Sequence, residues 1–221
     1  ITCRDWSSDV CSSDLFIPGD TPEDIHAKLI QVVTERIPKR FKMDPVKDIQ
    51  VLTPMNRGGL GSHSLNSELQ AKLNGSAEPK VTKFGVTFSP GDKVIQIVNN
   101  YDKEVFNGDI GQITEIDAEE GELLIEYDSR SVAYEFSELD EVQLAYATSI
   151  HKSQGSEYPV VVIPLAMQHY TLLERNLIYT GVTRGKKLVI IIGQPKALTR
   201  AVKNKRATNR LTRLKERLAS D

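Results

Sequence analysis

Two short apolar runs, at residues 160–163 and 188–192, constrain the fold more than any other feature of the sequence. Each run has the length of a strand, and each is apolar at consecutive positions rather than at every second one. Strands of this kind are buried on both faces, as in parallel sheets that carry helices on either side. Residues 171–183, between the runs, have the spacing of a helix. The sequence therefore predicts an α/β fold with a parallel sheet.

The first part of the chain repeats this alternation of strand and helix. A helix is predicted from Asp20, because Thr21 followed by proline is typical of a helix start and apolar residues continue at helical spacing to Ile37. Residues 49–52 are a short apolar strand that ends before a proline. After a glycine-rich loop, residues 65–73 again have the spacing of a helix.

Residues 84–144, the β-module, have a different sequence pattern. Short strands alternate with turn signals that contain glycine. The predicted strands are residues 93–98, 111–117, 122–127 and 133–136. The pattern predicts a small β-barrel that is inserted in one α/β domain, whose two parts are residues 16–83 and 145–221.

Residues 1–15 differ from the rest of the chain. They have no periodicity, contain Ser-Ser-Asp twice and lack the basic start and apolar core of a signal peptide. We expect them to be a non-native or disordered leader. The two cysteines, Cys3 and Cys11, both fall here, so no disulfide framework is predicted. This cysteine usage predicts a reducing cytoplasm, and the lack of an apolar run near the ~20 residues of a membrane span predicts a soluble protein without a membrane partner.

The formal net charge of -2 hides a marked asymmetry. Residues 115–141 contain eleven acidic residues and one base, whereas residues 184–217 contain twelve bases and one acid. Such a basic segment is typical either of a solvated helix face or of a surface that contacts phosphates. Composition alone leaves both interpretations open.

Residues 148–157 combine functional groups that a simple connecting loop rarely needs. Hydroxyls and backbone N–H groups bind phosphate oxygens, glycine allows close approach, and a carboxylate can hold a ribose hydroxyl. Each residue singly has an ordinary structural explanation, and only the combination indicates a segment that binds phosphates and a nucleotide. The candidates are Thr148, His151, Lys152, Ser153, Gln154, Gly155 and Glu157.

Arg184 is the candidate of a second segment, residues 176–187. It falls at a helix-to-strand connection beside Gly185, where we expect the edge of the sheet at which open α/β folds bind ligands. A guanidinium there could stabilise charge on a phosphoryl group that a neighbouring domain holds. The alternative is an arginine that satisfies the last carbonyls of a helix.

Together these segments resemble motifs V and VI of superfamily one helicases, at residues 148–157 and 179–186. Residues 50–61, with Gly91-Asp92-Lys93-Val94 and Asn107-Gly108-Asp109-Ile110-Gly111 in the β-module, are similar to the RecD-like branch. The resemblance covers about residues 16–218. It implies a RecA-like (P-loop NTPase type) parallel-sheet domain with an inserted SH3-like β-barrel, acting as the C-terminal motor half of an ATP-dependent DNA helicase.

The resemblance also implies roles for single residues. Arg184 would be the arginine finger, Gly155 would contact the γ-phosphate, and Glu157 would lie near the ribose. Gln154 would lie between the nucleotide and the DNA. The residues implied to bind single-stranded DNA are Thr148, His151, Lys152, Ser153 and, in its glycine-rich loop, Arg57. In that loop Asn56 stands where relatives are expected to have an aromatic residue, which argues against base stacking by the loop.

ATP with Mg²⁺ is the implied cofactor and single-stranded DNA the implied partner. The sequence contains no GxxxxGK[ST], and no apolar strand ends in an Asp-Glu pair that would hold magnesium. The resemblance therefore assigns the phosphates and the metal mainly to the first RecA-like domain of the same protein. We expect no metal site in this chain and no ATP turnover by it alone.

Other interpretations stay open. The chain could be a DNA-binding module without ATPase activity of its own, or an SH3-like protein-docking module on an inert α/β scaffold. It could also belong to a conjugative, relaxase-linked helicase or to a subunit of a repair and recombination complex. The domains that would distinguish these helicase classes are not in the sequence.

Overall fold

A five-stranded parallel sheet forms the centre of the protein. The structure is a computed structural model and describes residues 14–128 and 130–204. The strands of the sheet are β1 (Asp14–Pro18), β2 (Ile49–Thr53), β10 (Ala147–Ser149), β11 (Tyr158–Leu165) and β12 (Gly185–Gly193). Their order is β1-β12-β11-β2-β10, and every pairing is parallel. The predicted α/β class with a parallel sheet is confirmed.

Helices cover both faces of the sheet. They are α1 (Pro22–Gln31), a π-helical turn (Val32–Arg36), α2 (Ile37–Phe41), α3 (Ser62–Leu73), α4 (Arg175–Val182) and α5 (Pro195–Lys203). Val160 packs in one apolar cluster with Leu29 of α1, whereas its neighbour Val161 packs in another with Leu177 of α4. Because successive strand residues point to opposite faces and both faces are covered, residues 160–163 of β11 and 188–192 of β12 are apolar at every position.

The first helix begins where the sequence predicts. The Oγ1 of Thr21 accepts a hydrogen bond from the backbone N–H of Asp24 at 3.2 Å, and a proline occupies the first turn. This satisfies one of the free N–H groups of a helix start. The π-helical turn and α2 extend the helix until Lys42, which has a positive φ of 53°.

The helix predicted over residues 171–183 is shorter in the structure. It begins at Arg175, whose N–H donates to the carbonyl of Asn204 at 3.2 Å. The side chain of Asn204 in turn donates to the carbonyl of Leu173 at 3.0 Å. A distant segment thus satisfies backbone groups that helical hydrogen bonds would otherwise use.

The sheet extends further toward the N-terminus than predicted. Asp14 pairs with Val189 and Leu15 with Ile190 in β12. The expected leader boundary at residue 15 is therefore wrong for these two residues, because they continue an edge strand whose apolar side chains pack on the core. Residues 1–13, with both cysteines, lie outside the described residues, and so does the basic segment after residue 204.

The β-module contains a five-stranded antiparallel sheet of order β8-β7-β6-β5-β9. Its strands are β5 (Lys93–Gln96), β6 (Ile110–Asp117), β7 (Glu122–Tyr127), β8 (Arg130–Glu135) and β9 (Val142–Leu144), with a 3-10 helix, Phe136–Glu141, before the last. A separate hairpin of β3 (Val81–Lys83) and β4 (Val86–Phe88) precedes it. β3, β4 and β9 were not predicted, since three-residue strands are too short to show a period.

The β-module shares its core with the parallel sheet. Buried Phe88, Val94 and Ile125 of the module belong to the same apolar cluster as Val51 and Val160. Residues 84–144 are therefore continuous in packing with the domain into which they are inserted, although the chain enters and leaves them as an insertion.

A buried carboxylate joins the β-module to α3 and to the segment before β10. Asp92 is fully buried. It accepts hydrogen bonds from the side chains of Gln70 (2.5 Å), Asn74 (2.7 Å) and Tyr146 (2.8 Å) and from the N–H of Ser89 (2.8 Å). Burial raises the pKa of Tyr146, so its hydroxyl stays a donor. These donors replace the water that the carboxylate loses on burial.

Lys93 is a second buried ionisable residue at this junction. Its Nζ donates to the carbonyl of Ile49 at 3.2 Å and lies 5.7 Å from the ring centroid of Tyr158. Burial lowers the pKa of Lys93 to about 8, while the carboxylates of Asp48 and Asp44 act in the opposite direction. The ammonium form is thus disfavoured relative to the unfolded chain.

Stability is expected to depend on the protonation of Lys93. Between the folded pKa of about 8 and the ordinary value of 10.5, the unfolded state binds more protons, so raising the pH favours the folded state. As the pH rises from about 7.5 to 9.5, the unfolding free energy of the wild type should increase by about 2 kcal/mol more than that of Lys93→Met. The upper limit keeps the measurement below the ordinary pKa of tyrosine. Urea unfolding of both proteins measures this gain, and parallel pH curves would contradict it.

Candidate functional site

The segment 150–157 crosses the parallel sheet from one edge to the other. It leaves β10 at the carboxyl edge, where Ser149 pairs with Thr53, and enters β11 at the amino edge, where Val160 pairs with Ile49. Ile150 is fully buried in the apolar cluster on the α4 face of the sheet. The segment is therefore anchored at its start, and its polar side chains reach both edges.

A surface groove with a volume of about 660 Å³ lies beside the start of this segment. Residues of α3, of β10 and of the β3–β4 hairpin line it together. Its polar lining includes Asn56, His63, Asn66, Gln70, Thr148 and Lys152. Asn56, His63 and Lys152 are exposed and can donate hydrogen bonds to phosphate oxygens. The amides of Asn66 and Gln70 already donate within the protein.

Asn66 fixes the distance between the α3 wall and β10. Its Nδ2 donates to the carbonyls of Leu144 and Ala147, at 2.8 and 2.9 Å, and its Oδ1 accepts from the N–H of Ala147 at 2.7 Å. The side chain is buried. Sequence reasoning did not assign it a role, because its partners lie far away along the chain. The groove is therefore preformed on this side.

Two of the residues predicted to contact DNA, Thr148 and Lys152, line this groove. Thr148 is buried, and its Oγ1 accepts a hydrogen bond from the side chain of Gln50 at 3.3 Å. Lys152 is exposed, and partial desolvation lowers its pKa. Lys152 is thus the accessible cation of the groove. Arg57 is also exposed, in the loop before α3, but does not line the groove.

The other predicted DNA contacts are placed differently. His151 and Gln154 line a second cavity, of about 250 Å³, that faces α4 rather than α3. Ser153 is buried, and its hydroxyl donates to the carbonyl of Ile150 at 2.7 Å. Its hydroxyl is enclosed and used within the turn, so a contact of Ser153 with DNA stays a prediction that requires this turn to open. The structure brings together only part of the predicted set.

Gly155 and Glu157 lie at the end of the segment. Gly155 has a φ of +91°, which disfavours other residues, and a Cβ there would meet nothing within 4 Å. The backbone at this point is exposed and open to a ligand. Glu157 forms an ion pair with Lys186 at 3.0 Å, with both side chains 57% exposed. Screening by solvent makes such a pair weak, so both groups can exchange partners.

Arg184 links α4 to the segment 150–157. Its Nε donates to the carbonyl of Thr180, its Nη1 to the carbonyl of Ser156 and its Nη2 to the Oγ1 of Thr183, each at 3.2 Å. A guanidinium has five N–H donors, so two remain. The side chain is half-buried. Arg184 is thus held partly in the manner of a helix-capping arginine while keeping free donors.

The position of Arg184 in the sheet differs from the expectation. It immediately precedes β12, and its carbonyl accepts the N–H of Tyr158 at the start of β11, at 2.8 Å. It therefore lies at the amino edge, because a helix-to-strand connection ends where the strand begins. The expectation that it lies at the edge where open α/β sheets bind ligands is wrong.

Residues 14–128 and 130–204 contain no group of three histidine, cysteine or acidic side chains that could hold a metal ion. Over the same residues no helix is both long enough and apolar enough to cross a bilayer.

Two protein-family models match consecutive parts of the chain. The model described as the SH3 domain of ATP-dependent RecD-like DNA helicases matches residues 65–127, and the model described as the UvrD-like helicase C-terminal domain matches residues 144–192. The first match confirms the predicted SH3-like character of the insertion and begins within α3, earlier than residue 84. The second contains the segment 150–157 and Arg184.

Curated relatives match over most of the chain. It is 38% identical over 170 residues to the ATP-dependent RecD2 DNA helicase of Deinococcus radiodurans, covering 77% of this chain and 23% of the relative. It is 30% identical over 181 residues to the RecBCD enzyme subunit RecD of Mycolicibacterium smegmatis, covering 81% of this chain and 31% of the relative. The chain thus spans about a quarter to a third of the length of these relatives.

A crystal structure of Pif1 helicase from Bacteroides in complex with ADP-AlF3 and ssDNA has a TM-score of 0.49 and 16% identity, covering 83% of this chain and 47% of that one.

Proposed function

We propose, from the premise that this chain belongs to the RecD-like helicases, that it is the C-terminal motor half of an ATP-dependent DNA helicase. In this proposal a RecA-like domain with an SH3-like insertion binds single-stranded DNA in the groove that α3, β10 and the β3–β4 hairpin line. The same domain presents Arg184 to a nucleotide that is bound mainly by the first RecA-like domain of the same protein. A cytoplasmic location is part of the proposal.

One observation carries this proposal: a single short segment joins the groove to Arg184. Lys152 of the segment lines the groove, and the carbonyl of Ser156, four residues later, accepts a hydrogen bond from Arg184 at 3.2 Å. A rearrangement of Arg184 toward a phosphoryl group would change the contact with Ser156. The segment is therefore a direct physical connection between nucleotide chemistry and the grip on DNA.

The chemistry of the groove suits single-stranded DNA without regard to sequence. Its exposed side chains include the donors Asn56, His63 and Lys152, with Lys152 as the accessible charge, and phosphate contacts position a strand without reading its bases. A motor that passes over every base needs a grip of this kind. Arg57, in the neighbouring exposed loop, is assigned a supporting contact, and Thr148 one that requires its buried hydroxyl to leave Gln50.

The residues at the amino edge suit a nucleotide. Arg184 has donors left for a γ-phosphate, and the exposed backbone at Gly155 is open to close approach. Glu157 can leave its weak ion pair for a ribose hydroxyl. Gln154, which lines the cavity that faces α4, is assigned a place between the nucleotide and the DNA. ATP, when bound, supplies the free energy of its hydrolysis, and Mg²⁺ would be held outside this chain.

The first test is the affinity of the chain for an oligothymidylate of about 15 nucleotides. Binding should weaken as salt is raised, because it rests on phosphate contacts. Lys152→Ala is expected to lower the slope of log Kd against log salt by about 0.7, the value for one lost phosphate contact on a single strand. Fluorescence anisotropy at several salt concentrations between about 50 and 200 mM measures it.

Lys47→Ala is the matched control, since Lys47 is exposed and lies before β2, away from the groove. It removes the same charge from the chain and should leave the slope unchanged. Equal effects of the two substitutions would show that binding follows net charge rather than the groove, and the proposed site would fail.

A DNA-binding module without a catalytic part is the second candidate. The three hydrogen bonds that already hold Arg184 favour it. Mixing the chain with a separately expressed phosphate-binding domain discriminates between the two. DNA-stimulated ATP hydrolysis by the mixture, but by neither part alone, supports the motor half, whereas DNA binding without restored hydrolysis supports the module.

A further inference from the structure

We propose that Phe84, at the tip of the β3–β4 hairpin, is the platform on which a nucleobase of the bound single strand stacks. This inference rests on the proposed function, because it assigns a base contact to the same groove. It places an aromatic role in the β-module, whereas the loop before α3 carries Asn56 at the position where an aromatic residue was expected.

The side chain of Phe84 is available for such a contact. It is 64% exposed and lines the groove together with residues of α3 and β10. Donors to phosphate, such as Lys152 and His63, lie along the remainder of the groove. A groove lined by both an exposed aromatic ring and phosphate donors matches a single strand, which offers unstacked bases and a charged backbone at once.

The backbone of Phe84 is held in an unfavourable conformation. Phe84 and Gly85 are the two turn residues between the paired Lys83 and Val86, and their φ angles are +50° and +77°. A hairpin turn with two positive φ angles strongly favours Asn-Gly. A bulky residue there costs free energy, and an exposed ring regains little of it by burial. Strain kept at an exposed aromatic position indicates a functional contact.

The hairpin that carries Phe84 is anchored on both sides. The side chain of Gln70 in α3 donates to the carbonyl of Thr87 at 2.8 Å, and the hydroxyls of Thr82 and Thr87 are 2.9 Å apart. Phe88, at the end of the hairpin, is fully buried in the shared core. A ring on an anchored turn can hold a base with little loss of conformational entropy.

The test compares variants of the full chain by affinity for the same oligothymidylate and by melting temperature. Phe84→Asn, which suits the turn, is expected to weaken binding about tenfold, the scale of one lost base stack. It should also raise the melting temperature by about 2–4 °C, because the strain is relieved. Phe84→Trp should retain wild-type affinity. Tyr101→Ala, at an aromatic residue that is 74% exposed but does not line the groove, should change nothing in binding.

The outcomes separate this inference from the proposed function. Absence of oligothymidylate binding by the wild type would overturn both. Binding that Lys152→Ala weakens and Phe84→Asn leaves intact would overturn the role of Phe84 while the groove stands. If Phe84→Asn lowers affinity and melting temperature together, Phe84 is a structural residue and the inference also fails.

Discussion

Replacing Arg184 with alanine, in a longer protein that joins this segment to a phosphate-binding domain, is expected to lower kcat for ATP hydrolysis by about 10³-fold or more. The free donors of its guanidinium would stabilise the charge that develops on the γ-phosphoryl group. Arg184→Lys should restore little, because a point charge lacks the planar fork that spans two phosphate oxygens. Steady-state ATPase assays at saturating DNA measure both variants.

The affinity for single-stranded DNA without nucleotide should barely change in Arg184→Ala, because Arg184 does not line the groove. Lys152→Ala should do the reverse, weakening DNA binding while basal hydrolysis survives. Lys187→Ala is the matched control for Arg184, since Lys187 is an exposed base three residues later, near the start of β12.

The hydrogen bonds of Arg184 to Thr180 and Ser156 define the competing result. If these bonds are its whole role, Arg184→Ala will lower the melting temperature and leave the turnover of the folded fraction intact. That result would make Arg184 a helix-capping arginine and remove it from the proposed catalytic role. Measuring kcat per folded molecule is therefore essential, and circular dichroism supplies the folded fraction.

The central strands of the fold could be predicted because their burial requires apolar residues at consecutive positions of the sequence. β11 and residues 188–192 of β12 are covered on both faces, so these positions are apolar throughout. The edge strands could not be predicted in this way. β10 has three residues, and β1 lies in a segment whose start carries no pattern, so both depend on pairing with β2 and β12 that no local signal specifies.

The candidate groove could be predicted only in part, because its residues are not adjacent in the sequence. Its walls come from α3, the β3–β4 hairpin and the segment after β10, which lie far apart in the sequence. Sequence motifs point to the segment 148–157 because its functional groups are adjacent along the chain. They miss Asn66 and Phe84, since a structural amide and a strained turn become apparent only from hydrogen bonds and backbone angles. The opposite orientations of Lys152 and His151 likewise follow from the turn and not from their adjacency.

Asp92→Ala is expected to cause the largest loss of stability of any single change in the β-module, about 4 kcal/mol or more. Asp92 is fully buried and accepts hydrogen bonds from Gln70, Asn74 and Tyr146, all of which would be left without this acceptor. Asp92→Asn should cost less, because the amides can rotate to present an oxygen and the hydroxyl can accept. Urea unfolding measures both, with exposed Asp102→Ala as the control.

The shape of the transition in the Asp92 variants tests how the β-module and the parallel sheet are joined. Because Val94 of the module and Val160 of the sheet share one apolar cluster, the two should still unfold together, in one transition at a lower urea midpoint. An additional early transition that involves only the β-module would show that Asp92, rather than the shared core, couples them. A midpoint of Asp92→Ala within about 0.5 kcal/mol of the wild type, the range of ordinary surface substitutions, would contradict the assigned role of this carboxylate.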